Sequence, residues 1–143
     1  MNTIICTHLP TEPKFIIELQ EKFSCIFPDD YMAFLQKYNG GEPELRTFRC
    51  SVDDGTSLIN EFYGIGDMDS NLEDVFEDLD GALPEGVIAI ADDPGGNQIC
   101  LGIRNDTFDK VYFWIHDLEN NSNIENLFFL ANTFDDFLNN LYE

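Results

Sequence analysis

Between Val87 and His116 the chain reads V-I-A-I-A, then D-D-P-G-G-N, then Q-I-C-L-G-I, then a polar gap, then K-V-Y-F-W-I-H. Three short apolar runs divided by turn residues predict three neighbouring antiparallel strands. In the first divider, Pro94 presets φ, Gly95 and Gly96 reach positive φ without steric cost, and Asp92, Asp93 and Asn97 can bond their own backbone. The second divider, Arg104–Asp109, is looser and centres on Asn105 and Asp106. A meander of this kind occupies the middle of a sheet and offers faces that helices on either side can cover.

Helical periodicity surrounds it. Thr11 can cap a first helix, with Glu12 and Pro13 in its opening turn and Ile16, Leu19 and Phe23 on one face. A second helix starts with Pro28 at its first position, with Asp29 and Asp30 in the positive first turn. Its apolar stripe is Tyr31, Phe34, Leu35 and Tyr38, and Asn39-Gly40-Gly41 ends it because glycine takes the left-handed cap cheaply. Leu45–Val52 and Ser57–Tyr63 read as strands around the turn Asp53-Asp54-Gly55. Leu72, Val75, Phe76 and Leu79 have helical spacing within the acidic segment Asn71–Asp80, whose positive end Asp67 or Asp69 would complement. After the meander come a polar loop, Asp117–Asn123, and a strand, Leu127–Ala131. Thr133 then caps a last helix bearing Phe134, Phe137, Leu138 and Leu141. The order is helices, mostly strands, then a helix. It predicts an α+β fold in one domain, residues 1–143, with an antiparallel or mixed sheet packed by N-terminal and C-terminal helices.

Charge narrows the partners. Seven Lys+Arg stand against 28 Asp+Glu, a formal net charge of −21. No Lys or Arg occurs from Cys50 to Ile103, nor after Lys110. Such a field repels nucleic acid and anionic membrane and attracts a basic protein or a cation. It also keeps a protein soluble. No run is long and apolar enough to span a membrane, and Met1–Cys6 lacks a basic, apolar leader pattern. Cys6, Cys25, Cys50 and Cys100 form no C-x-x-C pair, so they read as free thiols of a cytoplasmic protein.

No constellation supplies a reaction centre. Asp67, Asp69, Asn71 and Glu73 alternate as in a calcium loop, but Leu72 stands where that loop needs Gly and Asp78 where it needs a bidentate Glu. Pro94–Asn97 lacks the Lys, the hydroxyl and the following helix of a phosphate cradle. Cys100 sits between Ile99 and Leu101 in a strand, the setting of an inert thiol, and His116-Asp117 has no nucleophile motif beside it. The expectation is a non-enzyme without cofactor or metal. On the third meander strand Val111, Phe113 and Ile115 share one face, and Tyr112, Trp114 and His116 share the other. Either helices or long loops cover this second face too, or Tyr112 and Trp114 form an exposed aromatic patch rimmed by acids. The candidate protein-binding residues are therefore Tyr112 and Trp114 with Asp67, Asp69, Asp92, Asp93 and Asn97.

Four motifs in order resemble those of the SUKH superfamily, the group that includes fungal cell-wall assembly regulators and many bacterial immunity proteins. They are the Phe27–Gly41 helix with its Pro28, Asp30, Tyr31, Phe34, Leu35 and Asn39-Gly40-Gly41; the Val87–Leu101 hairpin; the aromatic strand Val111–Trp114; and the closing Ala131–Leu138 helix. Ile90 stands where the family often has an aromatic residue, and Thr133 replaces the commoner Ser. The resemblance spans about Phe15 to Leu141. It implies an α+β fold and a non-catalytic protein-binding role, with no catalytic residue to carry over. The first expectation is an immunity protein that binds and neutralises a toxin domain, often a nuclease and so a basic partner. The alternative is a regulatory or scaffold module like the cell-wall regulators.

Overall fold

A computed structural model of the protein describes residues 2–5, 8–50, 55–116 and 126–143. Its centre is a five-stranded antiparallel sheet in which neighbours in space follow the chain order: β5 (Glu61–Phe62), β6 (Val87–Asp92), β7 (Gln98–Gly102), β8 (Val111–Trp114) and β9 (Leu127–Ala131). The meander thus supplies its three central strands. Two small antiparallel pairs accompany it, β1 (Ile4–Ile5) with β2 (Glu42–Pro43) and β3 (Thr47–Arg49) with β4 (Thr56–Leu58). The helices are α1 (Pro13–Phe23), α2 (Asp29–Tyr38), α3 (Leu72–Asp78) and α4 (Phe134–Asn140). The fold is α+β, as the pattern predicts.

Several local expectations shift. Glu12, not Thr11, precedes α1, and its side chain makes no capping bond; Pro13 takes the first turn, where a missing N–H costs nothing. Pro28 sits just outside α2 rather than within it. Neither Asp67 nor Asp69 caps α3: the Asn71 side chain accepts the Asp74 N–H, and the Asp74 carboxylate accepts from the Asn71 amide in return. The expected strand Ser57–Tyr63 divides in two. Ile59 donates its N–H to Arg46, beside β3, whereas Asn60 donates to Asp92 at the end of β6, so the chain changes sheets between them. The first of the two strands covers only Thr47–Arg49, and its turn at Asp53-Asp54 lies outside the described residues, as does the loop after His116. Thr133 caps α4 as expected, accepting the Asp136 N–H at 3.0 Å.

One main core lies between the helices and the sheet. Tyr31 and Phe34 from α2, Phe62 from β5 and Phe134 from α4 meet there with ring centroids 5.0–6.3 Å apart, mostly edge to face. Burying each such ring stabilises the fold by roughly 1.5–3 kcal/mol. A smaller core covers the opposite face of the meander, where Val87, Cys100 and Trp114 pack against Leu79, Ala82 and Leu83 from the segment after α3. The meander is therefore apolar on both faces because both are covered. Among the described residues no helix is long and apolar enough to cross a membrane.

Two substitutions test this packing. Gly40 has φ +83°, and a Cβ there would stand 2.6 Å from the Phe62 carbonyl oxygen. Gly40→Ala is expected to destabilise the protein by about 2 kcal/mol or more, read as a lower urea midpoint. The Tyr31 ring is packed between Phe27 and Phe134, yet its buried hydroxyl has no hydrogen-bond partner among the described residues. Tyr31→Phe keeps the ring and removes that unmet group, so stability is expected to rise by up to about 1 kcal/mol in the same measurement.

Candidate functional site

The meander turn faces inward. Asp93 is buried, and its Oδ1 accepts the N–H groups of Gly95 (2.9 Å) and Asn97 (2.8 Å). Its Oδ2 accepts from the Ser57 hydroxyl (2.9 Å) and the Asn97 amide (3.1 Å). Asn97 Oδ1 in turn accepts the His116 N–H at 3.1 Å. Asp93 and Asn97 therefore bind the turn to β4 and to the end of β8, and leave few groups for an external partner. Asp92 is half-buried and bonded to the Asn60 amide at 3.2 Å, and burial is the main cause of its raised carboxyl pKa. Trp114 is only 6% exposed, so the exposed-patch reading of the Tyr112/Trp114 face fails: Leu79, Ala82, Leu83 and Leu127 cover it. Tyr112 is half-buried, edge-on to Phe129 at 6.0 Å.

Asp67 and Asp69 are exposed, and they lie beside a feature that periodicity does not reveal. At the end of α2, Asn39 adopts φ +51° and turns its side chain into the protein, where the residue is 1% exposed. Its amide donates to the carbonyls of Leu9 and Ile65, both at 2.9 Å, and its Oδ1 accepts the Ile65 N–H at 2.8 Å. One side chain thus ties the segment before α1 to the loop after β5. Between these two walls and Phe15 of α1 runs a groove of ≈ 530 Å³, lined by Leu9, Phe15, Ile65, Gly66, Asp67 and Met68 among others. Past Phe15 it continues for ≈ 330 Å³ towards Glu18, Lys22 and Glu73.

The groove is apolar inside and acidic at its edge. Leu9 is 85% and Phe15 42% exposed, unusual values for such side chains on one surface. Phe15 lies outside the buried stripe Ile16, Leu19 and Phe23 of its own helix. An apolar residue next to a complete stripe was the available signal; its meeting with Leu9 and Met68 depends on the tertiary fold. Glu18, Asp67 and Glu73 line the two parts of the groove, and exposed Glu12 and Asp69 follow the lining residues Thr11 and Met68 in sequence. Lys22 is held by Glu73 and by Glu77 at 3.0 Å; Lys14 lies 3.6 Å from Glu12 and 5.0 Å from the Phe15 ring centroid.

The thiols of Cys25 and Cys100 and a carboxyl cluster at α4 belong to the packed fold. Burial pushes the Cys25 thiol up to about 11 and raises that of Cys100 still further, so neither is a ready thiolate. Three carboxyls gather at the start of α4. Asp109 Oδ1 accepts the Phe134 N–H (3.1 Å) and Asp30 Oδ2 accepts the Asp135 N–H (3.0 Å). Burial pushes Asp109 up to about 7, helped by a hydrogen bond shared with Asp30 and by the charges of Asp30 and Asp135, while the Phe134 N–H opposes the shift. Among the described residues no group of three or more His, Cys, Asp or Glu is placed to hold a metal ion.

An α+β domain holds its helix-ending Asn-Gly-Gly against the first strand of a five-stranded meander and closes with an aromatic helix. The chain belongs to the SMI1/KNR4 family (SUKH-1), whose sequence model matches residues 10–140. It is similar to the SPbeta prophage-derived uncharacterized protein YokK of Bacillus subtilis (strain 168), with 28% identity over an alignment that covers 88% of this chain and 72% of the relative.

The carboxyl cluster carries a pH dependence. The folded Asp109 holds its proton up to about 7, whereas an unfolded Asp releases it near 3.9. Between those values the native state binds more protons, so this group's contribution to stability falls as pH rises from about 4 to about 7 and is level above. Asp109→Asn keeps an oxygen for the Phe134 N–H and suits the residue's φ of +66°. It is expected to raise the urea midpoint at pH 8, to change it little at pH 4, and to flatten the slope between them.

Proposed function

We propose that this protein is an immunity protein: it binds a basic toxin domain and neutralises it by occupying its surface, without catalysis. The observation that carries this reading is the distribution of charge. Asp67, Asp69, Glu73, Asp74, Glu77, Asp78, Asp80 and Glu85 are all exposed on and around α3, in a stretch of sequence without Lys or Arg. Lys22 offsets part of it through Glu73 and Glu77. Arg104, beside Asp80 and Glu85, offsets a little more, and the surface that remains is predominantly acidic; it disfavours acidic partners and accelerates encounter with basic ones. Nuclease toxins, which must approach phosphates, have such basic surfaces. The prophage origin of the YokK relative favours a toxin-binding role over regulation of cell-wall assembly. Free thiols at Cys25, Cys50 and Cys100 suit a reducing compartment and so support an encounter in the cytoplasm.

Affinity capture from the source cell identifies the partner, and growth of cells producing that partner then tests protection. Survival is expected only when this chain is co-produced; equal killing with and without it rules the immunity role out. With the purified pair, the association rate is expected to fall at least about tenfold between about 0.05 and about 0.5 M salt, because Debye screening shortens the reach of the acidic face. Stopped-flow mixing measures this, and a rate independent of salt removes electrostatic steering from the mechanism.

A further inference from the structure

We propose that the groove between α1 and the loop 64–71 is the anchoring site for a basic protein segment, one that inserts a bulky apolar side chain between Leu9, Phe15 and Met68 and sets flanking arginines or lysines against Asp67, Asp69 and Glu18. This rests on the protein-binding reading above and assigns it a face.

The argument for the occupant is complementarity. The groove's ≈ 530 Å³ holds one or two large side chains, and its exposed Leu9 and Phe15 lose water when it is filled. Its walls are set before binding, because the buried Asn39 amide fixes Leu9 and Ile65 at once; little ordering remains to be done on association. An apolar centre with a charged rim is the arrangement of an interface anchor. The rim decides the sign. Asp67 lines both parts of the groove, Asp69 stands exposed just past Met68, and Glu18 lies along the extension. The nearby cations are engaged, Lys14 with Glu12 and Lys22 with Glu73 and Glu77, and His8 lies 3.8 Å from Glu61. A second copy of this chain would bring acid against acid, so self-association is the poorer fit.

The test uses the full chain, labelled with ¹⁵N, and a peptide in which Leu and Phe lie between paired arginines. Amide shifts are expected around residues 8–22 and 64–73, and not at the meander turn or the start of α4. A peptide with Ser in place of Leu and Phe is expected to bind about tenfold more weakly or worse, and one with Glu in place of Arg not detectably. The double variant Leu9→Ser, Phe15→Ser changes only exposed side chains, so the dispersion of its meander amides should be retained while affinity falls by about tenfold. Asp67→Asn with Asp69→Asn should lower affinity by roughly threefold to tenfold and weaken its salt dependence. Shifts that map to another face, equal binding by the Leu9/Phe15 variant, or no response to the basic peptide each overturn the assignment. The two readings separate cleanly in the cell. Full protection by the Leu9→Ser, Phe15→Ser variant leaves the immunity role standing and overturns the groove; absence of protection by the unaltered protein overturns the immunity role while the peptide titration still decides the groove.

Discussion

A single buried amide ties the segment before α1 to the end of α2 and the loop after β5. Asn39 ends α2 in the left-handed region, donates to Leu9 and Ile65 carbonyls, and accepts the Ile65 N–H. Asparagine suits the place for two independent reasons. It tolerates positive φ better than most residues, and its side chain offers two donors and an acceptor to loops that lack strand partners there. Each of the three bonds contributes roughly 0.5–1.5 kcal/mol net, but leaving those groups buried and unmet would cost more. The glycines beside it have a matching purpose. A Cβ on Gly40 would meet the Phe62 carbonyl, and one on Gly64 would stand 2.4 Å from the Asn39 carbonyl oxygen. Helix end and strand β5 thus approach closer than side chains allow, and Gly41 and Phe62 exchange backbone hydrogen bonds across the contact.

Asp93 does at the meander turn what Asn39 does at the helix end. A buried carboxylate gathers two backbone N–H groups, a hydroxyl and an amide, and thereby fixes the β6–β7 turn against β4 and β8. Both residues lie in motifs that the sequence displays openly, and both are easily mistaken for surface chemistry because polar residues in turns usually face water. Their burial reverses that inference. In each case the polar group is consumed by the fold, and what it leaves available is the shape of the surface it supports. For Asp93 that is a closed turn; for Asn39 it is an open groove.

Periodicity and turn chemistry are local properties, and the elements they predict here are the ones with strong local signals: the stripes of α2 and α4, and the three meander strands. The stretch Ser57–Tyr63 reads as one strand because alternation does not record which sheet a residue pairs with; the change of partner at Ile59 and Asn60 is a tertiary event. The α3 cap was legible in principle, since Asn71 and Asp74 have cap spacing, but the nearby aspartates competed for the role. The second face of β8 shows the limit most clearly. Tyr112 and Trp114 have the same pattern whether covered or exposed, and only the position of Leu79–Leu83 over them decides it. Of the candidate contact residues, Asp67 lines the groove and Asp69 follows its Met68 in sequence, and the groove's apolar members escaped notice because exposure is not a property of a single helix.

The acidity on which the proposed recognition rests is also a burden on the free protein. With a net charge of −21 and few cations, carboxylates must sit near one another, and the trio Asp30, Asp109 and Asp135 at α4 shows the consequence. One of them keeps its proton towards neutral pH, so that the helix start is capped without three full charges in contact. Around the groove Asp67 and Asp69 are exposed and form no salt bridge among the described residues, while Leu9 and Phe15 beside them stay in contact with water. The basic segment proposed above, with its apolar anchor, would neutralise the rim and remove water from Leu9 and Phe15 in one step. In the proposed complex, charge governs how quickly the partner arrives and the pinned groove governs where it stays.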